Sequence, residues 1–260
     1  MLIPLLCASS GHLDKLKGYQ LNYYIGDGVL TPLDAKPDEE YKEVINSDAR
    51  IRMIHMIVPD DIRNYYTDNL SYLDFVEKLN HVGITLHYKG VRLEADRDIL
   101  FNEILRIHDR APNATIYMEN EGMEFYSLLQ FIKLLRDINI DAWMLLDTCH
   151  IEAVASSRAI RDPERCVVNY KAMFEHFKDY IGAYHLSASR GADGFALETH
   201  GKPIKSDKDE VFFNSLCKEV TSIEYDHDVY IIPEVTEDVY GGLCTRKNGL
   251  YAYSVLQQYL

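Results

Sequence analysis

Eight short apolar runs punctuate the chain. Between them lie longer stretches in which apolar residues recur at helical spacing. The runs 2–8, 19–25, 51–56, 84–88, 113–118, 142–146, 181–187 and 229–233 are predicted strands. The run Met144-Leu-Leu146 that ends on Asp147 is continuous, the pattern of a parallel strand covered on both faces. The predicted helices are 13–17, 39–46, 70–79, 95–108, 122–137, 165–180, 210–220 and 247–259. In 122–137, Phe125, Leu128, Leu129, Ile132 and Leu135 share one helical face. Strand followed by helix, repeated at intervals of about 30 residues, predicts an α/β protein with a single-domain (β/α)8 TIM barrel over 1–260. No linker, low-complexity run or change of composition divides the chain. An open, doubly wound sheet is the alternative.

The predicted strands end on a recurring set of residues. His55, His87, Glu119, Asp147, His185 and Glu234 fall at strand ends, and His150 follows Asp147 by three residues, in the loop just after its strand. Glu198 and His200 lie in the polar stretch after the seventh strand. Taken singly, each has an ordinary explanation: Asp147 as a helix cap, Glu234 likewise, His55 and His87 as core histidines. Taken together on a barrel, the nine groups converge on one rim, where α/β barrels carry their chemistry. Imidazoles and carboxylates suit zinc, manganese or iron, and nine groups exceed one tetrahedral site. Glu198 and His200 share a face of an extended segment because alternate residues do so. Carboxylates can bridge two ions, and clustered ions can clamp a phosphodiester undergoing displacement.

Composition narrows the partners. The 260 residues are 47% hydrophobic, which suits a sizeable core, and carry a formal net charge of -14. That charge argues against broad electrostatic binding to nucleic acid or to anionic membranes. The locally basic stretch around Arg190, Lys202, Lys205 and Lys208 is the expected place for a phosphate contact. Five scattered cysteines without a CxxC pair read as reduced thiols in a cytosol-like compartment. The apolar run at 1–8 is short and lacks a basic flank, so it is expected to be a strand rather than an export signal. A soluble, non-secreted monomer is therefore expected, and the glycosylation-like patterns at Asn69 and Asn113 are discounted.

Several segments resemble the endonuclease IV family, the zinc-dependent apurinic/apyrimidinic (AP) endonucleases. Leu146-Asp-Thr-Cys-His150 is similar to the family's Asp-Thr-Cys-His signature, the most specific match. Met118-Glu-Asn-Glu-Gly122 resembles its Glu-Asn segment after the fifth strand. Tyr184-His-Leu-Ser187, followed by Glu198-Thr-His200, resembles its His-Leu-Asn-Asp segment and later Asp-x-His pair, with Glu for Asp. Ile231-Ile-Pro-Glu234 resembles its last strand, and His55 and His87 stand where the family keeps two earlier histidines. The resemblance implies a phosphoric diester hydrolase that cleaves damaged DNA 5′ to an abasic site, or removes 3′ blocking groups, without a covalent enzyme intermediate. It implies two or three zinc ions. The first would take His55, His87 and Glu119; the second Glu119 as a bridge, Asp147, His185 and Glu234; the third His150, Glu198 and His200. Arg190 and Lys202 would contact substrate. Where the family carries polar and basic DNA-entering residues after the second strand, this chain reads Gly26-Asp27-Gly28, then Asp34 and Asp38. Weak non-specific duplex binding is expected in consequence. Two other readings stand beside this one: a sugar isomerase or epimerase on a related barrel, and a non-catalytic binding protein on the same fold. The additional set His150, Glu198 and His200 counts against the isomerase.

Overall fold

The computed structural model describes residues 1–8, 19–24, 51–57, 83–88, 94–121, 124–151, 169–187, 207–233 and 246–260, some of them, including His55, through the backbone only. The predicted helices at 13–17, 39–46 and 70–79 lie outside these residues.

Nine strands and five helices are described. They are β1 (Leu2–Pro4), β2 (Leu6–Ala8), β3 (Tyr19–Tyr24), β4 (Ile51–Ile57), β5 (Gly83–His87), α1 (Glu94–Arg110), β6 (Thr115–Glu119), α2 (Phe125–Asp137) and β7 (Ala142–Asp147). Then follow α3 (Tyr170–Phe177), β8 (Ile181–Leu186), α4 (Asp207–Thr221), β9 (Val229–Pro233) and α5 (Arg246–Leu256). The strands form one sheet in the order β1-β9-β8-β7-β6-β5-β4-β3-β2. Every pairing in it is parallel. The predicted first strand is present as two pieces on either side of Leu5, whose N–H donates to the carbonyl of Ile231. One piece pairs with β9 and the other with β3, so the two ends of the sheet order are adjacent stretches of chain.

Side chains alternate across the sheet with period two. Ile84, Leu86, Ile116, Met118, Met144, Leu146, Tyr184, Leu186 and Ile231 face the helices and share one core with Leu100, Ile104, Leu128, Ile132, Phe174 and Phe213. The opposite face holds a second, smaller core of Leu5, Met53, Tyr117, Leu145, Ala183 and Ile232. Met53 on β4 and Ile232 on β9 have four strands between them in the order, yet join this one cluster, so the sheet is strongly curled. Tyr117 sits in the hollow. A methyl group added at Gly83 would lie 2.6 Å from its ring, and one at Gly182 would lie 2.8 Å from its ring and 2.7 Å from Trp143 Cβ. Glycine at these two positions is what leaves room for the tyrosine.

α2 illustrates how the helices deliver strands to the rim. Phe125, Leu128, Phe131, Ile132 and Leu135 are buried along one stripe. Each contributes about 2 kcal/mol by removing apolar surface from water. The helix stops where Asn139 takes a left-handed conformation, φ 66°. Asn139 N–H donates to Arg136 O at 2.9 Å and Ile140 N–H to Leu135 O at 3.0 Å, the two bonds of a Schellman cap. Ile140 and Leu135 are both buried beneath it. The chain is thereby turned straight into β7, and Arg136 Nε fixes the turn by donating to Ala142 O at 2.7 Å. No described helix is long and apolar enough to cross a membrane.

Candidate metal centre

The curled face ends in chemistry because of a two-residue step. From Thr85 it leads to His87, from Tyr117 to Glu119, from Leu145 to Asp147 and from Ala183 to His185. Alternation therefore places each of these polar groups directly beyond the inner core, at the carboxyl end of its strand. Glu119, Asp147 and His185 are fully buried and His87 nearly so. The same step leads from Met53 to His55 and from Ile232 to Glu234. His55 is seen as backbone only, paired with Asn22 and Thr85. Glu234, Glu198, His200, Arg190 and Lys202 lie outside the described residues.

Glu119 is the centre of the cluster. Its Oε1 lies 3.1 Å from His185 Nδ1 and 3.8 Å from His150 Nε2. Its Oε2 lies 3.4 Å from His87 Nε2. His150 Nε2 is also 3.5 Å from Asp147 Oδ2, one helical turn earlier. The His87 and His150 rings meet edge-on, 6.2 Å between centroids.

The tips are braced by three neighbouring side chains. Asp147 N–H donates to Asn120 Oδ1 at 2.8 Å, and Asn120 Nδ2 donates to Asp147 O at 3.3 Å, which ties the end of β6 to that of β7. Thr148 Oγ1 donates to His185 O at 3.2 Å and accepts from Ser187 N–H at 3.0 Å, which ties β7 to β8. Asp147 Oδ1 accepts from Cys149 N–H at 2.5 Å, capping the helical turn that carries His150. Asn120 and Thr148 are themselves buried, so these bonds are shielded from water. Sequence reasoning singled out neither as a brace.

It also missed Glu121. The carboxylate of Glu121 accepts from His87 Nδ1. Its own N–H donates to Glu124 Oε1 at 2.6 Å. Burial pushes the Glu121 carboxyl up, but the hydrogen bond from His87, with the charge of His87 and His150, outweighs this and holds it below its ordinary value. The signal was present as Glu119-Asn-Glu121, the same alternate spacing that marks Glu198 and His200.

Among the described residues two groups of side chains can hold a metal ion: Glu119, Asp147 and His185, and His87, Glu121 and His150. In each, one ligand atom per residue lies within 4.8 Å of the others. A tetrahedral ion with bonds of about 2.0–2.2 Å keeps neighbouring donors about 3.3–3.6 Å apart. Within the first group His185 and Glu119 are in hydrogen-bond contact at 3.1 Å, while 3.4 Å from His87 to Glu119 and 3.5 Å from His150 to Asp147 join the two groups at that spacing, so the six side chains form one continuous donor cluster. Fold and site together define a parallel α/β protein with a buried imidazole–carboxylate cluster at the carboxyl ends of its strands. No family model, curated protein or solved structure matches the chain.

Proposed function

We propose that this protein is a metal-dependent phosphodiesterase of the endonuclease IV type, cleaving DNA 5′ to abasic sites, on a closed (β/α)8 barrel. The observation that carries the reading is Glu119, fully buried, with His87, His150 and His185 around it and Asp147 alongside, all at the carboxyl ends of neighbouring parallel strands. The adjacency of the two sheet ends through Leu5 supports the barrel. The resemblance of the Asp147 to His150 segment supports the choice of reaction.

In this reading Glu119, Asp147, His185 and Glu234 would hold one zinc ion, Glu119 with His55 and His87 a second, and His150 with Glu198 and His200 a third, with manganese or iron as chemically acceptable substitutes for a nitrogen and oxygen donor set. When bound, the ions supply positive charge to the phosphate oxygens and acidify water. The chain does the rest. Asn120 and Thr148 hold the ligand-bearing tips at fixed spacing, and the buried walls exclude bulk water from the carboxylates. Arg190 and Lys202 contact the phosphate backbone, which compensates for the net charge of -14.

The test is elemental analysis of protein purified without chelator, paired with cleavage of a duplex carrying one abasic analogue. Two or three zinc ions per chain and a single cut 5′ to the lesion are expected. Less than one metal per chain, with no uptake of added zinc, sinks the metal centre. Full metal content without any cut moves the reading to another phosphoester or to a sugar.

A further inference from the structure

Glu121 has no part in the three ligand sets of the proposed function, yet it stands beside His87 and His150 in one of the two groups that can hold an ion and is in direct contact with His87. It follows β6 on the short segment that also bears Asn120, and its half-buried carboxylate accepts a hydrogen bond from His87 Nδ1. The other ring nitrogen of His87, Nε2, lies 3.4 Å from Glu119 Oε2. His87 is thus held between two carboxylates, one at each nitrogen.

The consequences follow from imidazole chemistry. A neutral ring has one N–H and one lone pair. With the proton on Nδ1 engaged by Glu121, the lone pair belongs to Nε2, which faces Glu119. An ion shared directly by Nδ1 and the Glu121 oxygen would hold those atoms about 3.3 Å apart. They stand in hydrogen-bond contact, the arrangement in which Glu121 acts on the ring from the nitrogen that does not face Glu119. Carboxylate–histidine pairs of this kind fix the tautomer and ring orientation of metal-binding histidines and raise their basicity. The N–H of Glu121 donates to Glu124 Oε1, just ahead of α2, so the position of this carboxylate is set by the segment leading into that helix.

We propose that Glu121 is a positioning residue of the metal centre: its carboxylate takes the hydrogen bond from His87 Nδ1 and thereby aims His87 Nε2 at the cation shared with Glu119. The proposal rests on the metal-centre reading above, and its test separates the two.

Zinc affinity is measured by competition with a chelator of known strength, on the full chain, for wild type, Glu121→Ala and Glu121→Gln. Thermal midpoints are recorded alongside, and the nitrogen NMR shifts of His87 are read in the zinc-loaded wild type. Glu121→Ala is expected to weaken one ion by roughly 10- to 100-fold and to leave the most tightly held ion unchanged. Glu121→Gln, whose amide oxygen can accept the same bond, recovers most of the loss. The wild-type spectrum shows a protonated Nδ1 and a metal-shifted Nε2 on His87. Unchanged affinity in Glu121→Ala overturns the proposal. So does a metal-shifted Nδ1, or a Glu121→Gln protein as weak as Glu121→Ala, either of which makes Glu121 a ligand. Should Glu121→Ala fail to fold, the isosteric Glu121→Gln and the wild-type spectrum still decide. A wild-type protein that binds no zinc removes the metal-centre reading itself, before any variant is compared.

Discussion

The two ends of the same strands handle polar side chains in opposite ways. At the amino end, His227 lies just ahead of β9. Its Nδ1 meets Asp226 Oδ1 at 2.7 Å and its Nε2 meets the backbone carbonyl of Ile181 at 2.8 Å. Its ring lies against Trp143, 4.4 Å between centroids, and the Arg136 guanidinium sits 4.1 Å over that indole. Trp143 Nε1 in turn donates to Asp141 Oδ1 at 2.7 Å. Here backbone carbonyls and stacked rings occupy the polar groups, and Asp226 is open to water. At the carboxyl end, His87, His150 and His185 converge on the Glu119 carboxylate, away from water. Polar groups that settle against the backbone stabilise a fold. Imidazoles and carboxylates gathered around a buried carboxylate form a donor set that can hold a cation. The contrast sets side chains that hold the fold together at one end against a cluster that can hold a metal ion at the other.

The contrast can be broken most sharply at Glu119. Glu119→Gln keeps the shape and removes the charge. It is expected to lose at least one metal per chain and to bring hydrolysis down to background, with the circular dichroism spectrum retained. Near wild-type cleavage by this variant would remove Glu119 from the centre of the site. Asn120→Ala comes next. It strips both bonds from the backbone of Asp147 and leaves buried groups unsatisfied, at a cost of about 2 kcal/mol. Activity should fall together with stability, because the same side chain ties β6 to β7; denaturant midpoints and initial rates measured on one preparation check this. His227→Ala sharpens the comparison from the other end. A loss of about 1 kcal/mol is expected from the missing backbone bond and ring contact, with the cleavage rate unchanged. A tenfold drop in rate would mean that the two ends are coupled.

A further effect concerns pH and lies away from both ends. Glu103 on α1 is buried, with Arg106 Nη1 2.9 Å from one oxygen, while Oε1 has no hydrogen-bonding partner among the described residues. Burial pushes its carboxyl up to about 7, only partly offset by Arg106. Below its ordinary value of 4.5 the group is protonated whether the chain is folded or not. As pH rises from there through about 7, the unfolded chain releases its proton first, so folding stability declines. Glu103→Gln should flatten that decline between pH 5 and 8, measured as the thermal midpoint. An unchanged pH profile would show that Glu103 is not its source.

Much of this was legible in the sequence because two periodicities coincide. The helical face of Phe125, Leu128, Ile132 and Leu135 is that of α2. The strand at 229–233 matches β9 residue for residue, and the other predicted strands fall within a residue or two of those found. The helix predicted at 165–180 appears among the described residues as α3 and a 3-10 turn, Lys178–Tyr180. Its start at Tyr170 is set by Asn169, whose side chain accepts from Ala172 N–H at 3.0 Å. The position of Glu119, Asp147 and His185 followed from where apolar runs stop. What did not follow was anything that depends on contact between strands. Asn120 and Thr148 look like turn residues until their partners on the neighbouring strand are seen. Glu121 sits one step past the strand end in an Asn-Glu-Gly run, where a carboxylate reads as solvated, and only the approach of His87 gives it meaning. The surroundings of His150 likewise come from β6 and β5 as well as from its own turn.

The two-residue step from inner core to rim makes the site unusually sensitive to the length of each strand. Inserting or deleting a single residue within β6 or β7 would turn Glu119 or Asp147 onto the helix-covered face, and a neighbouring hydrophobe toward the rim. A change of two residues would keep the face but move the carboxylate by about 7 Å along the strand, beyond reach of its partners. Beyond the site residues Asn120, Glu121, Thr148 and His150, the segments that join strands to helices carry no such constraint, because their length does not alter which face a strand residue takes. Over evolutionary time, gains and losses of sequence should therefore collect between the elements, and the distance from Tyr117 to Glu119, or from Leu145 to Asp147, should be among the last things in this chain to drift.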